Sequence, residues 1–304
     1  MHAELVVPGL LRDEATGRYP ALELLLARGR ITRSAPLGVH AWLQQALELE
    51  SLPAGALTLL GCGREPGEAN WARADPVHLR LMRDHALVVP GEALALSAQE
   101  AESLISALNT HFPELHLTAC EPARWCARVP EGTFVGGGPA LESAGTAANL
   151  PRDAAALLNE IQMLLHAHPM NEARELPVNS LWFWGGGRGP RAAQSPWASV
   201  SADDPVALGA ARIAGARHRA LPRTAQEWLD RLPEDGRHLA ILPVDDVAAL
   251  ERAWFAPLLA ALRAGRTGMV TIHVPDAADA VSCETIRGDL RRFWRRAKPI
   301  ERYA

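Results

Sequence analysis

The sequence has little or none of several features that define common classes of protein. A single lysine, Lys298, accompanies 30 arginines, which indicates coding bias rather than chemistry. The formal net charge of −4 argues against a nucleic-acid-binding protein that relies mainly on phosphate contacts. No apolar run approaches the roughly 20 residues that a membrane helix requires, and the first residues lack the basic region of a secretory signal. We therefore expect a cytoplasmic protein that does not bind a membrane.

Cysteine and the familiar catalytic motifs are also scarce. The four cysteines are Cys62, Cys120, Cys126 and Cys283. They show neither CxxC spacing nor the spacing of a zinc finger, which is typical of free, mostly buried thiols in a reducing compartment. The chain contains no GxSxG elbow and no HExxH pair, so it gives no direct sign of an α/β-hydrolase or a zinc protease.

What the chain does contain is an alternation of apolar strands and amphipathic helices over 304 residues, 48% of them hydrophobic. The pattern predicts strands at residues 4–7, 56–60, 86–89, 115–120, 124–129, 180–184, 238–242 and 269–274. It predicts helices at residues 20–28, 38–50, 98–112, 153–166, 205–214, 225–231, 247–263 and about 285–294. Ser97 and Glu100 form a predicted capping box at the start of the third helix.

This alternation predicts an α/β fold with a mainly parallel sheet and helices on both faces. Residues 86–129 form a separate pattern that is typical of a small α+β unit, and the Gly-, Ala- and Ser-rich residues 136–149 are typical of a linker. We therefore expect a discontinuous α/β core domain, residues 1–66 and 151–304, and an inserted α+β domain, residues 67–150.

The densest run of unusual residues is HAHPMNEARELPVNSLWFWGGGRG, residues 166–189, here called the central stretch. It predicts a helix end, a polar loop, a buried strand and a glycine turn, and open α/β sheets place ligands at such strand ends. Gly185 and Gly187 belong to a glycine run that is suited to cradling a phosphate on backbone N–H groups. The run is also typical of a tight turn with positive φ angles, so both interpretations stay open.

Polar side chains of the central stretch form a further candidate site. Asn171, Arg174 and Asn179 combine an arginine with two amides, a set suited to an anion or a carboxylate. The same three side chains are suited to stabilising a loop by hydrogen bonds. His168 follows His166 at a spacing that does not put both on one helix face. Because a metal role would need further ligands, we favour structural histidines.

Asp75 and His78 form a candidate outside the central stretch. The intervening Pro76 restricts the backbone and fixes the relation between them. Such a pair is suited to acid–base chemistry or to ligand binding, and neighbouring arginines add positive charge. The alternative is that Asp75 caps a helix or forms a turn.

Residues 287–296 are rich in arginine and aromatic side chains. Such a run is suited to nucleic acid or to an acidic partner. It is more often a solvated helix, here anchored by Leu290, Phe293 and Trp294.

The central stretch resembles the archaeal-type cofactor-independent phosphoglycerate mutases. These enzymes carry a His-Pro-x-Asn-x-x-Arg segment followed by Ala-Asn-x-x-Trp-Leu-Trp-Gly-x-Gly. The matching positions are His168, Pro169, Asn171, Arg174, Asn179, Trp182, Trp184, Gly185 and Gly187. The opening strand, the helix 20–28 and residues 70–76 are also similar to the family. The motifs ADPVHL and PVNSLWFWGGG resemble more closely an unassigned bacterial group, described as mutase-like or as regulators of pathogenicity factors.

The resemblance implies an alkaline-phosphatase-like α/β core with an inserted smaller domain, and catalysis by a serine nucleophile and two divalent metals. The sequence departs from this pattern. Pro8-Gly9 stands where the family has a metal-binding Asp-Gly pair, and residues 37–60 contain no convincing nucleophilic serine. Asp245 and Asp246 lack the histidine that should follow them, and the Asp-His pair expected after the last strand is absent.

We therefore expect a mutase-like pseudoenzyme without catalytic residues, metal or cofactor, whose partner is an anionic small molecule or a regulatory protein. The expected ligand-binding residues are Asp75, His78, His168, Asn171, Arg174, Asn179, Gly185 and Gly187. The alternative is an active phosphomutase or phosphohydrolase that binds Mn or Mg through Asp75, His78, His168, Asp245, Asp246 and His273. The third hypothesis is a nucleic-acid-binding regulator, against which the acidic net charge argues.

Overall fold

The computed structural model describes residues 1–11, 17–81, 86–135, 138–139, 152–172, 174–190, 193–276 and 280–303. The chain forms two compact units: unit 1 is Met1–Leu49 with Ala192–Ala304, and unit 2 is Glu50–Arg191. The predicted linker, residues 136–149, lies outside the described residues except for Gly138 and Pro139. In the described ranges, no helix has both the length and the apolar character needed to cross a membrane.

The strands are numbered along the chain. They are β1 (His2–Val6), β2 (Arg30–Ser34), β3 (Trp71–Leu81), β4 (Ala86–Pro90), β5 (Thr118–Glu121), β6 (Arg124–Arg128), β7 (Ser180–Gly187), β8 (Ser199–Ser201), β9 (Arg217–Arg219), β10 (Arg237–Ile241), β11 (Met269–Val274) and β12 (Ala280–Ile286).

The helices are numbered in the same way. They are α1 (Pro20–Arg28), α2 (Val39–Ala46), α3 (Ala54–Gly61), α4 (Ala98–His111), α5 (Arg152–His166), α6 (Pro169–Glu172), α7 (Pro205–Ile213), α8 (Ala225–Asp230), α9 (Val247–Leu250) and α10 (Ala256–Ala264). A π-helical turn, Glu251–Phe255, joins α9 to α10. Short 3-10 turns occur at Gly91–Leu94, Pro113–Leu115, Arg287–Arg291 and Ile300–Arg302.

Unit 1 contains a seven-stranded sheet in the order β2-β12-β11-β1-β10-β8-β9. β1 pairs in parallel with β10 and β11, and β8 pairs in parallel with β10 and β9. β12 and β2 extend the sheet in antiparallel fashion beyond β11. The predicted mainly parallel sheet is therefore confirmed, with an antiparallel edge that the sequence pattern did not indicate.

The two faces of this sheet differ in polarity. On one face, alternate residues such as Leu5 of β1 and Ile272 of β11 join side chains of α1, α8 and α10 in one apolar core. His2 and Glu4 of β1 point to the opposite face, because side chains alternate along a strand. A slip of one residue would turn the polar side chains toward the apolar core, so the apolar face specifies the register.

The sheet of unit 2 is built around β3, which pairs in antiparallel fashion with β4, β6 and β7. β5 completes this five-stranded sheet by pairing with β6. Leu104 and Leu108 of α4 and Ile161 of α5 share one apolar core with strand residues such as Trp125. The Ser97–Glu100 capping box at the start of α4 is confirmed.

Two predicted elements are wrong in type. Residues 56–60 form part of helix α3, not a strand. Because α3 is buried on every side, it has no polar face, and the sequence therefore shows no helical period there. Its alanines and leucines favour a helix. The predicted helix at about 285–294 is instead the end of β12, where Val281, Thr285 and Ile286 suit a strand, followed by a 3-10 turn.

The predicted glycine turn after the central strand is also wrong. Gly185, Gly186 and Gly187 lie within β7. Between the pairs Trp71–Gly187 and Arg73–Trp184, β7 contains one residue more than β3. The glycines therefore form a bulge, which a residue with positive φ such as Gly185 (+59°) accommodates.

Candidate ligand-binding site

Asp75 lies within β3, where its buried carboxylate is held by hydrogen bonds. Its Oδ1 accepts from Nε and Nη2 of Arg73 at 3.0 and 2.6 Å, and from the backbone N–H of Trp125 at 3.3 Å. Its Oδ2 accepts from the indole N–H of Trp184 at 2.9 Å. This network joins β3, β6 and β7. The alternative that Asp75 caps a helix or forms a turn is wrong, because the residue lies in a strand.

His78 lies three residues after Asp75 on the same strand. Because side chains alternate along a strand, the two point to opposite faces of the sheet. The Nδ1 of His78 hydrogen-bonds to the carbonyl of Pro177 at 2.9 Å. The acid–base interpretation of Asp75 and His78 is therefore not supported, because Pro76 lies in extended backbone between them.

His168 and Asn171 organise the short helix α6. Nδ1 of His168 accepts from the N–H of Met170 at 3.3 Å, so the imidazole caps this helix. The amide of the buried Asn171 donates to the carbonyls of Leu165 and Val178 at 2.7 and 2.8 Å, and accepts from the N–H of Val178 at 3.0 Å. Both side chains hold the chain between α5 and β7.

Arg174 donates hydrogen bonds to three different residues. Its guanidinium donates to Oε1 of Glu100 at 2.6 Å, to the carbonyl of Leu94, and to the carbonyl of Leu176 at 3.3 Å. The N–H and hydroxyl of Ser97, together with Arg174, hold the pKa of Glu100 below its ordinary value. The arginine and its counter-ion Glu100 both line an open groove of about 540 Å³.

Asn179 and the glycines complete the predicted set. The amide of Asn179 makes two hydrogen bonds with the backbone of Leu79. A Cβ on Gly185 would lie 2.4 Å from the Cβ of Ala54, and one on Gly187 would lie 3.2 Å from Pro53. The glycines therefore allow β7 to pass close to the start of α3.

These contacts favour the structural alternative for the central stretch. His168, Asn171, Arg174 and Asn179 lie close along the chain between α5 and β7, and each bonds to the protein itself. An anion would have to replace these bonds.

Acidic residues at the carboxyl ends of the parallel strands of unit 1 cap helices. Asp204, after β8, accepts from the N–H of Val206 at 3.0 Å and bonds to Nε2 of His40 at 2.9 Å. Asp246, after β10, accepts from the N–H of Ala248 at 2.8 Å. In the part of the chain that the structure describes, no group of three or more His, Cys, Asp or Glu side chains is arranged to hold a metal ion.

A polar cluster around the buried Glu4 in unit 1 was not predicted from the sequence. This carboxylate accepts from Nε of Arg237 at 2.5 Å and from the indole N–H of Trp197 at 2.9 Å. Nδ1 of His2 lies 3.3 Å from it, and Nε2 of His273 lies 3.7 Å from it. Burial alone would raise the pKa of Glu4, but the nearby imidazole of His273 and the hydrogen bonds from Arg237 and Trp197 hold it at about 2.

The sequence contained one faint signal of this cluster. His2 and Glu4 alternate with the apolar residues Ala3 and Leu5, as in a strand with one polar face. The hydrogen-bond donors Trp197 and Arg237 lie 193 and 233 residues away from Glu4, so no local pattern could identify them.

Comparison by sequence alone finds no matching family model and no matching curated protein. Solved structures do match. The cofactor-independent phosphoglycerate mutase of Thermoplasma acidophilum is 16% identical, with a TM-score of 0.51 over 94% of this chain and 90% of that one. A Pyrococcus horikoshii protein is 15% identical, with a TM-score of 0.58 over 94% of this chain and 87% of that one.

The chain has the fold of a cofactor-independent phosphoglycerate mutase. Sequence identities of 15 and 16% show the mutase fold alone. The activity of this chain therefore has to be argued from its own side chains.

Proposed function

We propose that the chain is a mutase-fold protein that acts by binding and has lost the two-metal and serine chemistry of the mutases it resembles. The carboxyl end of β1, the central strand of the parallel sheet, carries this proposal. The chain continues there as Val7-Pro8-Gly9, and the buried Val7 donates its N–H to the carbonyl of His273 at 2.9 Å. A hard divalent cation needs several oxygen or imidazole ligands, and this strand end supplies none from its side chains.

The neighbouring strand ends support the same proposal. The carboxylates of Asp204 and Asp246 accept hydrogen bonds from the first N–H groups of α7 and α9. A helix start that loses its cap leaves backbone donors without a partner. Recruiting either residue to a metal would therefore cost stability.

Two assays test the loss of chemistry. Mutase activity on 3-phosphoglycerate and phosphatase activity on p-nitrophenyl phosphate are measured with added Mn²⁺ or Mg²⁺, beside an authentic mutase. We expect no turnover above the protein-free control. Robust turnover would contradict the proposal and support the active enzyme with rearranged ligands. So would one or two tightly held divalent ions in protein purified without chelator.

Of the two binding modes, a regulatory protein partner is better supported than an anionic small molecule. Phe293 and Trp294 are 78% and 67% exposed and lie edge to face, with ring centroids 5.3 Å apart. Arg291, Arg295 and Arg296 are exposed beside them. We call these five residues the C-terminal patch. Exposed aromatic rings among arginines fit an acidic protein surface, whereas the groups predicted to bind an anion are bonded within unit 2.

A labelled poly-glutamate peptide serves as the acidic probe, with binding measured by fluorescence anisotropy. We expect Phe293→Ala and Trp294→Ala to weaken binding several-fold. Met163→Ala, at an equally exposed apolar residue of unit 2, should leave it unchanged. Equal binding by all three variants would contradict the assignment. Salt-dependent binding of duplex DNA that is lost in Arg291→Ala and Arg296→Ala would instead support a nucleic-acid-binding regulator.

A further inference from the structure

Three cysteines that are far apart in the sequence meet in unit 2. Cys62 follows the last residue of α3, Cys120 lies on β5 and Cys126 lies on β6. The thiol of Cys126 donates to the carbonyl of Gly55 at 3.5 Å, and that of Cys120 to the carbonyl of Thr58 at 3.9 Å. Both carbonyls belong to α3, so the two strand thiols point at this helix.

Cys62 lies beside Cys120. Its backbone N–H donates at 3.0 Å to the carbonyl of Thr58, the same atom that accepts from the thiol of Cys120. The thiol of Cys120 shifts the pKa of Cys62, and the thiol of Cys126 shifts the pKa of Cys120. Together with the shared Thr58 carbonyl, this places Cys120 between the other two cysteines.

The three thiols differ in access. Cys62 and Cys120 are partly exposed, whereas Cys126 is fully buried. Cys283 is buried in unit 1, where its thiol donates to the carbonyl of Leu25 at 3.6 Å. A small oxidant in water can thus reach Cys62 and Cys120.

We propose that Cys62 and Cys120 form a dithiol site that a peroxide oxidises to a disulfide. The sulfur of one cysteine attacks the peroxide O–O bond, becomes a sulfenic acid and releases water in the case of hydrogen peroxide. The sulfur of the other attacks that sulfenic sulfur and expels a second water. Two thiols lose two electrons and two protons, and one peroxide is reduced to two waters.

The surroundings of the site set its rate. The thiol of Cys126, together with burial, raises the pKa of Cys120 to about 12, although Cys62 opposes this effect. The thiol of Cys120, burial and the Glu121 carboxylate raise the pKa of Cys62 well above its usual range, and Arg64 opposes them. Only the thiolate attacks, so oxidation should be slow at pH 7 and accelerate about tenfold for each added pH unit.

The test exposes the full-length protein to hydrogen peroxide, blocks free thiols by alkylation and maps the non-reduced digest by mass spectrometry. We expect a linked Cys62–Cys120 peptide, accompanied by an intact-mass loss of about 2 Da. Cys62→Ser and Cys120→Ser should reduce disulfide formation at least tenfold. Cys283→Ser is the matched control and should behave as the wild type.

Other products would overturn the proposal. They are a Cys120–Cys126 linkage, stepwise gain of oxygen at Cys62 or Cys120 without a linkage, and an unchanged yield in Cys62→Ser. Circular dichroism of each serine variant identifies any that misfolds. In that case, the loss of two native thiols in a titration of the oxidised wild type, with the modified positions mapped, decides the question.

Discussion

The side chain of Asn179 pairs with both backbone groups of Leu79: Oδ1 accepts the N–H at 2.7 Å, and Nδ2 donates to the carbonyl at 2.8 Å. A side-chain amide therefore continues the ladder between β3 and β7 one step beyond the last paired residues, Val77 and Ser180. An asparagine that matches the mutase motif here joins two strands.

Asn179→Asp tests this role. The change leaves the acceptor but replaces the donor with a carboxylate oxygen that faces the Leu79 carbonyl. A buried acceptor without its donor costs about 1–3 kcal/mol, and this bond is half-buried, so we expect the free energy of unfolding to fall by about 1 kcal/mol in urea denaturation. Asn159→Asp, at an exposed position of α5, should change it little. Equal effects of the two substitutions would contradict the pairing role.

Removing one partner of the buried Arg73–Asp75 ion pair should be strongly destabilising. Both residues are less than a tenth exposed, and Asp75→Asn leaves a buried guanidinium without its carboxylate. Breaking a buried pair costs roughly 3–5 kcal/mol. We expect such a loss in urea denaturation, and partial recovery in the double variant Arg73→Met/Asp75→Asn.

The surface pair of Asp230 and Arg266 is the control for this prediction. Their side chains are 52% and 43% exposed, with Oδ1 and Nη2 2.6 Å apart. A pair in water contributes about 0–1 kcal/mol, so Asp230→Asn should have a small effect. A double variant that is no more stable than Asp75→Asn alone would contradict the argument.

The sequence predicted elements well where periodicity and caps are local. The bounds of α1 and β11 match the expected 20–28 and 269–274, and the capping box of α4 is present. The sequence pattern failed to predict α3, because a short helix buried on all sides and a buried strand have the same apolar composition. The expected α+β insertion stays a prediction.

The candidate site was harder to predict, because the role of each polar side chain depends on contacts with residues that are distant in the sequence. The motif identified Arg174, but its carboxylate partner Glu100 lies 74 residues away. Asp75 was selected as a polar residue beside a proline, while Trp184, which occupies its second oxygen, comes 109 residues later. A sequence pattern shows which groups are polar, and only the fold shows which of them are already bonded.

Gly185 should be the least replaceable of the motif glycines. At φ +59°, an added Cβ would lie 2.4 Å from the Cβ of Ala54. Gly63→Ala is the matched control, because Gly63 also has a positive φ (+76°) but nothing within 4 Å of an added Cβ. We expect about 1–2 kcal/mol of destabilisation for Gly63→Ala and roughly 1–3 kcal/mol more for Gly185→Ala, because of overpacking. Equal losses of stability in the two variants, measured by thermal unfolding, would show that β7 moves away from Ala54 to accommodate the added Cβ.

Glu4 should make the stability of unit 1 depend on pH in the acidic range. Its pKa in the folded protein is about 2, against an ordinary value of 4.5, so the folded state binds fewer protons between these values. The stabilisation from Glu4 is therefore complete above pH 4.5 and is lost as the pH falls toward 2. At pH 7 it is on the order of 3 kcal/mol.

The test compares the wild type with Glu4→Gln by urea denaturation at several pH values. Near pH 7, the variant should be less stable by a few kcal/mol, because Arg237 and Trp197 lose an ionised acceptor. The difference should shrink as the pH falls below 4.5, since the wild-type carboxylate then becomes protonated. Glu284→Gln, in an exposed pair with Arg30, should show little difference at any pH. If the difference in unfolding free energy between the wild type and Glu4→Gln stays constant from pH 7 to pH 3, the charge of Glu4 does not stabilise the sheet.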